Sequence, residues 1–262
     1  MVIKRVGSIV KFRTAATALA LGIVACAALS LAAQKKTTAT SGSVVLAQDK
    51  GKLTIKLDGQ TVGHEEFEIA PSGGGWLAKG TAQIKPPEGA PSKVSGALTL
   101  EPNGAPISYA WSAQAEKTNG AHILFANGVA SITLEMQGAR SCTTEEIKDP
   151  QRTQPCFFEQ DLSFNSSLIA VLDNNLYHQY AVLARIYDWS KGGVQTFPVL
   201  IPQELTPGSI TVESSGSAIA DGKTYEGLKV STSDLQILLL LDSHHRLMRL
   251  EVPDAKVSVI RD

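Results

Sequence analysis

The sequence predicts a mainly β protein with one long helix: a strongly curved antiparallel sheet, a β-roll or open barrel, packed around a helix over residues 166–189. Three observations predict it. Short stretches of alternating apolar and polar residues recur between Gly, Asn, Asp and Pro turn signals, the pattern of half-buried strands. Ser166 to Trp189 instead carries a helical period, with Leu168, Leu172, Leu176, Tyr180, Leu183 and Tyr187 on one stripe and Asn174, His178, Arg185 and Asp188 roughly opposite. Leu235 to Leu241 is an apolar run with apolar residues at both parities, as expected of a strand covered on both sides or lining an apolar cavity.

Residues 1–33 read as targeting sequence. Lys4, Arg5, Lys11 and Arg13 precede an apolar run from Thr14 to Ala33, the order of a secretory signal or an uncleaved anchor. Three fates compete: cleavage after the small residues Ser30-Leu31-Ala32, retention of the run as an anchor, or lipidation of Cys26 in the lipobox-like Ile23-Val24-Ala25-Cys26. Each places the remainder outside the cytoplasm, secreted or periplasmic. Without the four cations of this segment, 20 Lys and Arg face 25 Asp and Glu, a net charge of −5. An acidic domain with no basic cluster excludes nucleic acid as the expected partner, and membrane contact is expected through the N-terminal segment only. Residues 34–51 are rich in Lys, Thr, Ser, Ala and Gly and read as a flexible tether. A single β-rich domain is expected over residues 52–262.

Within that domain Leu53, Ile55 and Leu57 alternate with polar residues up to the hairpin signal Asp58-Gly59. From Trp76 to Ile84, the residues Trp76, Ala78, Gly80, Ala82 and Ile84 share one face, where small side chains leave room for a close approach. Val94 to Leu100 and Ile107 to Ala115 are strands joined at Pro102-Asn103-Gly104, and Asn127-Gly128 pairs His122–Ala126 with Ala130–Met136. Cys142 and Cys156, 14 residues apart in an oxidising compartment, are expected to form a disulfide. Six further strands follow the helix: 196–201, 209–214, 225–231, 235–241, 246–252 and 256–261. The Asp173-Asn174-Asn175 run is the weak point of the helix, because these side chains compete for backbone groups.

Catalytic signatures are missing from the sequence. His64-Glu65-Glu66-Phe67-Glu68 has Glu where a zinc-protease helix needs its second His, and it reads as strand, with His64, Glu66 and Glu68 on a solvated face opposite Phe67 and Ile69. His244 and His245 diverge on a turn and bring no third ligand, so no metal and no cofactor is expected. His178 and Arg185 read as part of a solvated helix face. A curved sheet with an apolar face needs a cover, and incomplete cover leaves a pocket. The expected ligand wall is therefore Trp111, Leu176, Tyr180, Leu235, Ile237 and Leu239, holding a lipid or other amphiphile.

The stretches Gly59 to Ile69, Leu247 to Pro253 and Val257 to Arg261 resemble the two ends of an uncharacterised group of bacterial envelope proteins. That group is similar in architecture to the periplasmic lipoprotein-carrier proteins. The resemblance implies a spiral β-roll wrapped about a helix, a periplasmic compartment and no catalytic residues. The sequence thus reads as a non-enzymatic envelope protein binding an apolar or amphiphilic ligand. Two alternatives stand beside this reading: a scaffolding component with a protein or glycan partner, and a hydrolase built from dispersed carboxylates.

Overall fold

Two-residue turns set the sheet. Asp58-Gly59, Asn127-Gly128 and Asp221-Gly222 all have positive φ at both positions (49° and 78°, 51° and 75°, 51° and 72°), the twist that matches paired strands. The computed structural model describes residues 45–262 except 88–89, 115–117, 137–138, 141, 149–150 and 152–155. Eight strands come first: β1 (Asp49–Leu57), β2 (Gln60–Ser72), β3 (Gly75–Ile84), β4 (Ser92–Leu100), β5 (Pro106–Gln114), β6 (Thr118–Ala126), β7 (Val129–Met136) and β8 (Phe158–Ser163). A short helix α1 (Thr144–Lys148) lies between β7 and β8, and the two-residue β9 (Ala170–Val171) precedes α2 (His178–Ile186). Six strands follow: β10 (Gln195–Ile201), β11 (Thr206–Ala220), β12 (Lys223–Ser231), β13 (Gln236–Leu241), β14 (Leu247–Val252) and β15 (Val257–Arg261).

All fifteen described strands form one sheet in the order β8-β7-β6-β5-β4-β3-β2-β1-β15-β14-β13-β12-β11-β10-β9. Every neighbouring pair is antiparallel except β9 and β10. The described sheet is not closed into a barrel, since β8 and β9 stand at its two ends. Two meanders therefore meet along β1 and β15, where Ile55 opposes Val259. Their inner faces supply one apolar core that includes Leu53, Phe67, Leu98, Ile123, Leu228, Leu239 and Leu250.

The helix is shorter than the sequence predicts. Only His178–Ile186 is helical, and residues 166–177 run through turns and β9. The cause lies in the Asp-Asn-Asn run. Asp173 Oδ1 accepts the Asn174 and Gln203 backbone N–H groups, and Asn175 sits at φ 66°. Leu172 N–H is already committed to Leu200 O. The predicted single stripe is corrected as well: α2 packs on both β3 and β14, so it is buried nearly all round, His178 included. Extended backbone at Tyr187 ends it, with its N–H on Leu183 O.

Leu235 to Leu241 is covered as expected, with Ile237, Leu239, Leu240 and Leu241 buried. Cys142 and Cys156 are joined, their Cα atoms 5.6 Å apart. Order begins before Lys52, because β1 starts at Asp49 and Leu46 is already in the core, so the far end of the expected tether belongs to the domain. The targeting segment 1–33, with its apolar run 14–33 and Cys26, and tether residues 34–44 lie outside the described residues. Among the described residues no helix is long and apolar enough to cross a membrane.

Candidate functional site

Glu65 stands on the Phe67 and Ile69 face of β2 and is fully buried. Its partner is the start of α2, where Tyr177 offers no side-chain cap. Glu65 Oε2 accepts the backbone N–H of Tyr177 at 2.7 Å and of His178 at 3.2 Å, and Oε1 lies 2.5 Å from His178 Nδ1. The Oε1–Nδ1 contact holds one proton between the acid and the imidazole. A carboxylate from a neighbouring strand thus replaces the missing cap and meets the positive end of the helix. Gly80 permits the approach: a Cβ there would lie 2.4 Å from His178 Nδ1 and 2.5 Å from Glu65 Oε1. The His178 ring also stacks on Phe67, with centroids 6.1 Å apart. Its Nε2 is buried without a hydrogen-bond partner among the described residues. The orientation is that of a general base, but with both side chains wholly enclosed the pair acts as a clamp on α2.

A second buried carboxylate holds the segment before the helix. Asp173 Oδ2 accepts the Tyr109 hydroxyl at 2.8 Å, and its own N–H donates to Gln179 Oε1. Burial raises the Asp173 carboxyl above its ordinary value, outweighing the donors around it. Burial and the adjoining Asp173 charge push the Tyr109 phenol well up.

The expected ligand wall does not line one space. Leu176, Ile237 and Leu239 are buried in the core, and Tyr180 and Leu235 pack against it. Beneath the helix, among Leu98, Val182, Leu183 and Ile186, the cavity volume is only about 10 Å³, room for about one water. Trp111 alone of the six borders a larger hollow, but it pairs with Gly96, so its side chain lies on the α2 face of the sheet, where the indole N–H is buried with no acceptor among the described residues.

That hollow, of about 850 Å³, runs over β2 to β7, with Lys50 of β1 at its edge. Register and side-chain alternation put it on the face away from α2. Gly80 and Gly96 point toward His178 and Leu176, so Thr81, Ser95, Ala97, Ala110 and Ser112 point the other way. One cross-strand row is Glu66, Thr81, Ser95, Ser112, Gly120 and Glu135. The next is Glu68, Lys79, Ala97, Ala110 and His122. The floor over β4 and β5 is therefore small residues only, and longer side chains stand on β2, β3, β6 and β7. Thr81 and Ser95 hydroxyls satisfy each other at 3.0 Å. On one wall Lys79 pairs with Glu68 at 2.9 Å and holds that carboxyl below its usual range. On the other His122 lies 4.0 Å from Glu135. The result is a trough parallel to the strands, with β3 and β6 about 14 Å apart across it.

Sequence reasoning missed both the clamp and the trough. The clamp had a signal: Glu65 shares the parity of Phe67 and Ile69, so an acid was due on the apolar face. The trough had a fainter one, two adjacent strands with only small residues at one parity. Among the described residues no His, Cys, Asp and Glu group is arranged to hold a metal ion.

No family model matches the chain, and no curated protein matches it. Among solved structures it is similar to a β-barrel-like protein of domain of unknown function DUF1849 from Brucella abortus, with a TM-score of 0.53 and 9% identity over 84% of this chain and 97% of that one. It is also similar to a DUF1089 family protein from Pseudomonas aeruginosa, with a TM-score of 0.44 and 10% identity over 75% of this chain and 91% of that one. The first likeness shows a fold shared with an uncharacterised β-rich domain.

Proposed function

We propose that this is an exported, non-enzymatic cell-envelope protein that holds an apolar or amphiphilic ligand in the trough over β2 to β7. The observation that carries the reading is the hollow itself, about 850 Å³ with a floor of Ala97, Ala110, Ser95 and Ser112 between charged walls. Its size lies within the range of small-molecule sites, and a floor of short side chains leaves room for a chain to lie against backbone and methyl groups. The ligand moves from the helix side of the sheet, where the space is filled, to the opposite face. Export is supported by the basic and then apolar order of residues 1–33 and by the Cys142–Cys156 bridge. The carrier-like architecture, a sheet strongly curved about its helix, is supported by α2 reaching both β3 and β14, four places apart in the strand order.

The test is native mass spectrometry of protein purified from envelope fractions, followed by displacement of a fluorescent amphiphile. A co-purifying amphiphile is expected, with binding lost in Ala97→Trp and Ala110→Trp, whose side chains fill the trough without entering the core. A clean mass together with dye binding unchanged in both variants overturns the proposal.

A further inference from the structure

The trough differs at its two ends. Beyond the Thr81 row, the next residues on the same face are His64, Gln83, Lys93 and Gln114, in register across β2 to β5. Gln83, Lys93 and Gln114 are exposed, and this row contains no carboxylate. Lys93 makes no ion pair among the described residues, whereas both cations lining mid-trough face Glu68: Lys79 pairs with it and Lys50 stands opposite it on β1. Beyond the Lys79 row, in the other direction, come Leu77, Thr99, Ser108 and Leu124. Here Leu124 is 65% exposed and Ile107, beside Ser108 on β5, is 42% exposed. From the Gln83 row to the Leu77 row is six residues, about 20 Å along a strand. One end therefore offers hydrogen-bond donors and an unmatched cation, the other offers uncovered apolar side chains, and the floor between them is small.

Resting on the reading of the trough as an amphiphile site, we infer that its ligand is a single-chain amphiphile with an anionic head. The chain lies parallel to β4 and β5. The head sits at Gln83, Lys93 and Gln114, and the tail runs over Ala97 and Ala110 to Leu77, Ile107 and Leu124. The wall carboxylates Glu66 and Glu135 stand beside mid-trough, where they disfavour a negative charge and so help to place the head at the end. The two amides add donors that a carboxylate or phosphate head accepts, and an ammonium head finds no negative partner in that row. The apolar end gives Leu124 and Ile107 a function that an otherwise solvated sheet face lacks.

The experiment titrates the full chain with laurate, dodecyl phosphate, dodecyltrimethylammonium, and acetate or inorganic phosphate as headgroup-only controls. Laurate and dodecyl phosphate are expected to bind tighter than the ammonium by roughly threefold to fivefold, the range of one solvent-exposed ion pair. Lys93→Glu is expected to reverse that order with the melting temperature unchanged. Shortening the carboxylate chain is expected to weaken binding by up to about fourfold per methylene covered. Leu124→Ser is expected to reduce that dependence for the last carbons only. Equal affinity for both head signs, or an unchanged order in Lys93→Glu, overturns the inference while leaving an amphiphile site in place. Binding of acetate or phosphate as tight as that of laurate also overturns it, since the site then reads an anion and not a chain. Failure of every dodecyl probe to bind sinks this inference and the proposed function together.

Discussion

Glu65 engages two backbone N–H groups and the His178 ring nitrogen at the start of α2 with one carboxyl group. Glu65→Gln replaces an acceptor oxygen with a donor amide facing them, and a loss of about 3 kcal/mol in urea unfolding at neutral pH is expected. Gly80→Ala brings a methyl group against the same pair from the sheet side and is expected to cost about 1–3 kcal/mol by overpacking. Equal stability of both variants and the wild type would show that the clamp does not hold the helix. Asp173 gives a different signature, because burial raises its folded-state value above the unfolded one. The native state then binds the proton more tightly, so the stabilising contribution is full below about pH 4 and is lost as pH rises through the folded value. In Asp173→Asn, the amide oxygen keeps the Gln203 and Asn174 N–H bonds and its nitrogen faces the Tyr109 oxygen. Unfolding measured from pH 3 to pH 7 should show the variant gaining on the wild type as pH rises. These two acids illustrate what single residues disclose before folding. Glu65 was readable from strand parity alone, whereas the environment of Asp173 depends on Tyr109, 64 positions away in the chain, and on Gln203.

At the level of elements, strand positions followed from turn chemistry and alternation. Asn127-Gly128 and Asp58-Gly59 fall where the backbone needs a positive φ, and the β10 and β12 to β15 boundaries lie within two residues of the predicted strands, whereas β11 extends from the predicted 209–214 to Thr206–Ala220. The long helix did not follow from its period. A stripe at helical spacing also arises where a chain winds irregularly along an apolar wall, and Asp173 with Asn175 then decides the matter by capping its own neighbours. The disulfide was readable from the sequence, since two cysteines in a domain whose leader predicts export have few other expected uses. It joins residues that border the connection between β7 and β8, a loop whose closure entropy is worth about 3 kcal/mol. Reduction should lower the urea midpoint accordingly while leaving amphiphile binding intact, because the bridge lies outside the residues lining the trough. Loss of binding on reduction would tie the bridge to the trough.

On the scale of the whole molecule, the strand order matters more than any single contact. Within each meander the neighbours are consecutive strands, most of them joined by short turns, with longer connections only from β7 to β8 and from β9 to β10. Only β1 with β15 joins segments some 200 residues apart. A charge placed there should be far more damaging than one placed elsewhere on an apolar side chain. Val259→Asp, at a buried position, is expected to cost more than about 4 kcal/mol, and Ile219→Asp, at a position 79% exposed, less than about 0.5 kcal/mol. Similar melting temperatures for the two variants would contradict a seam at β1 and β15. The ends of the sheet are guarded by other means: Glu159 and Asp161 on β8, and Pro198 on β10 beyond the reach of β9. The β1–β15 seam also sets a timetable. A polypeptide delivered with its first residues leading, from a ribosome or through a translocation pore, leaves β1 with one bare edge until residues 257–261 arrive. For that interval the early meander is a half-finished template open to any passing strand, and a holding chaperone would find its substrate there.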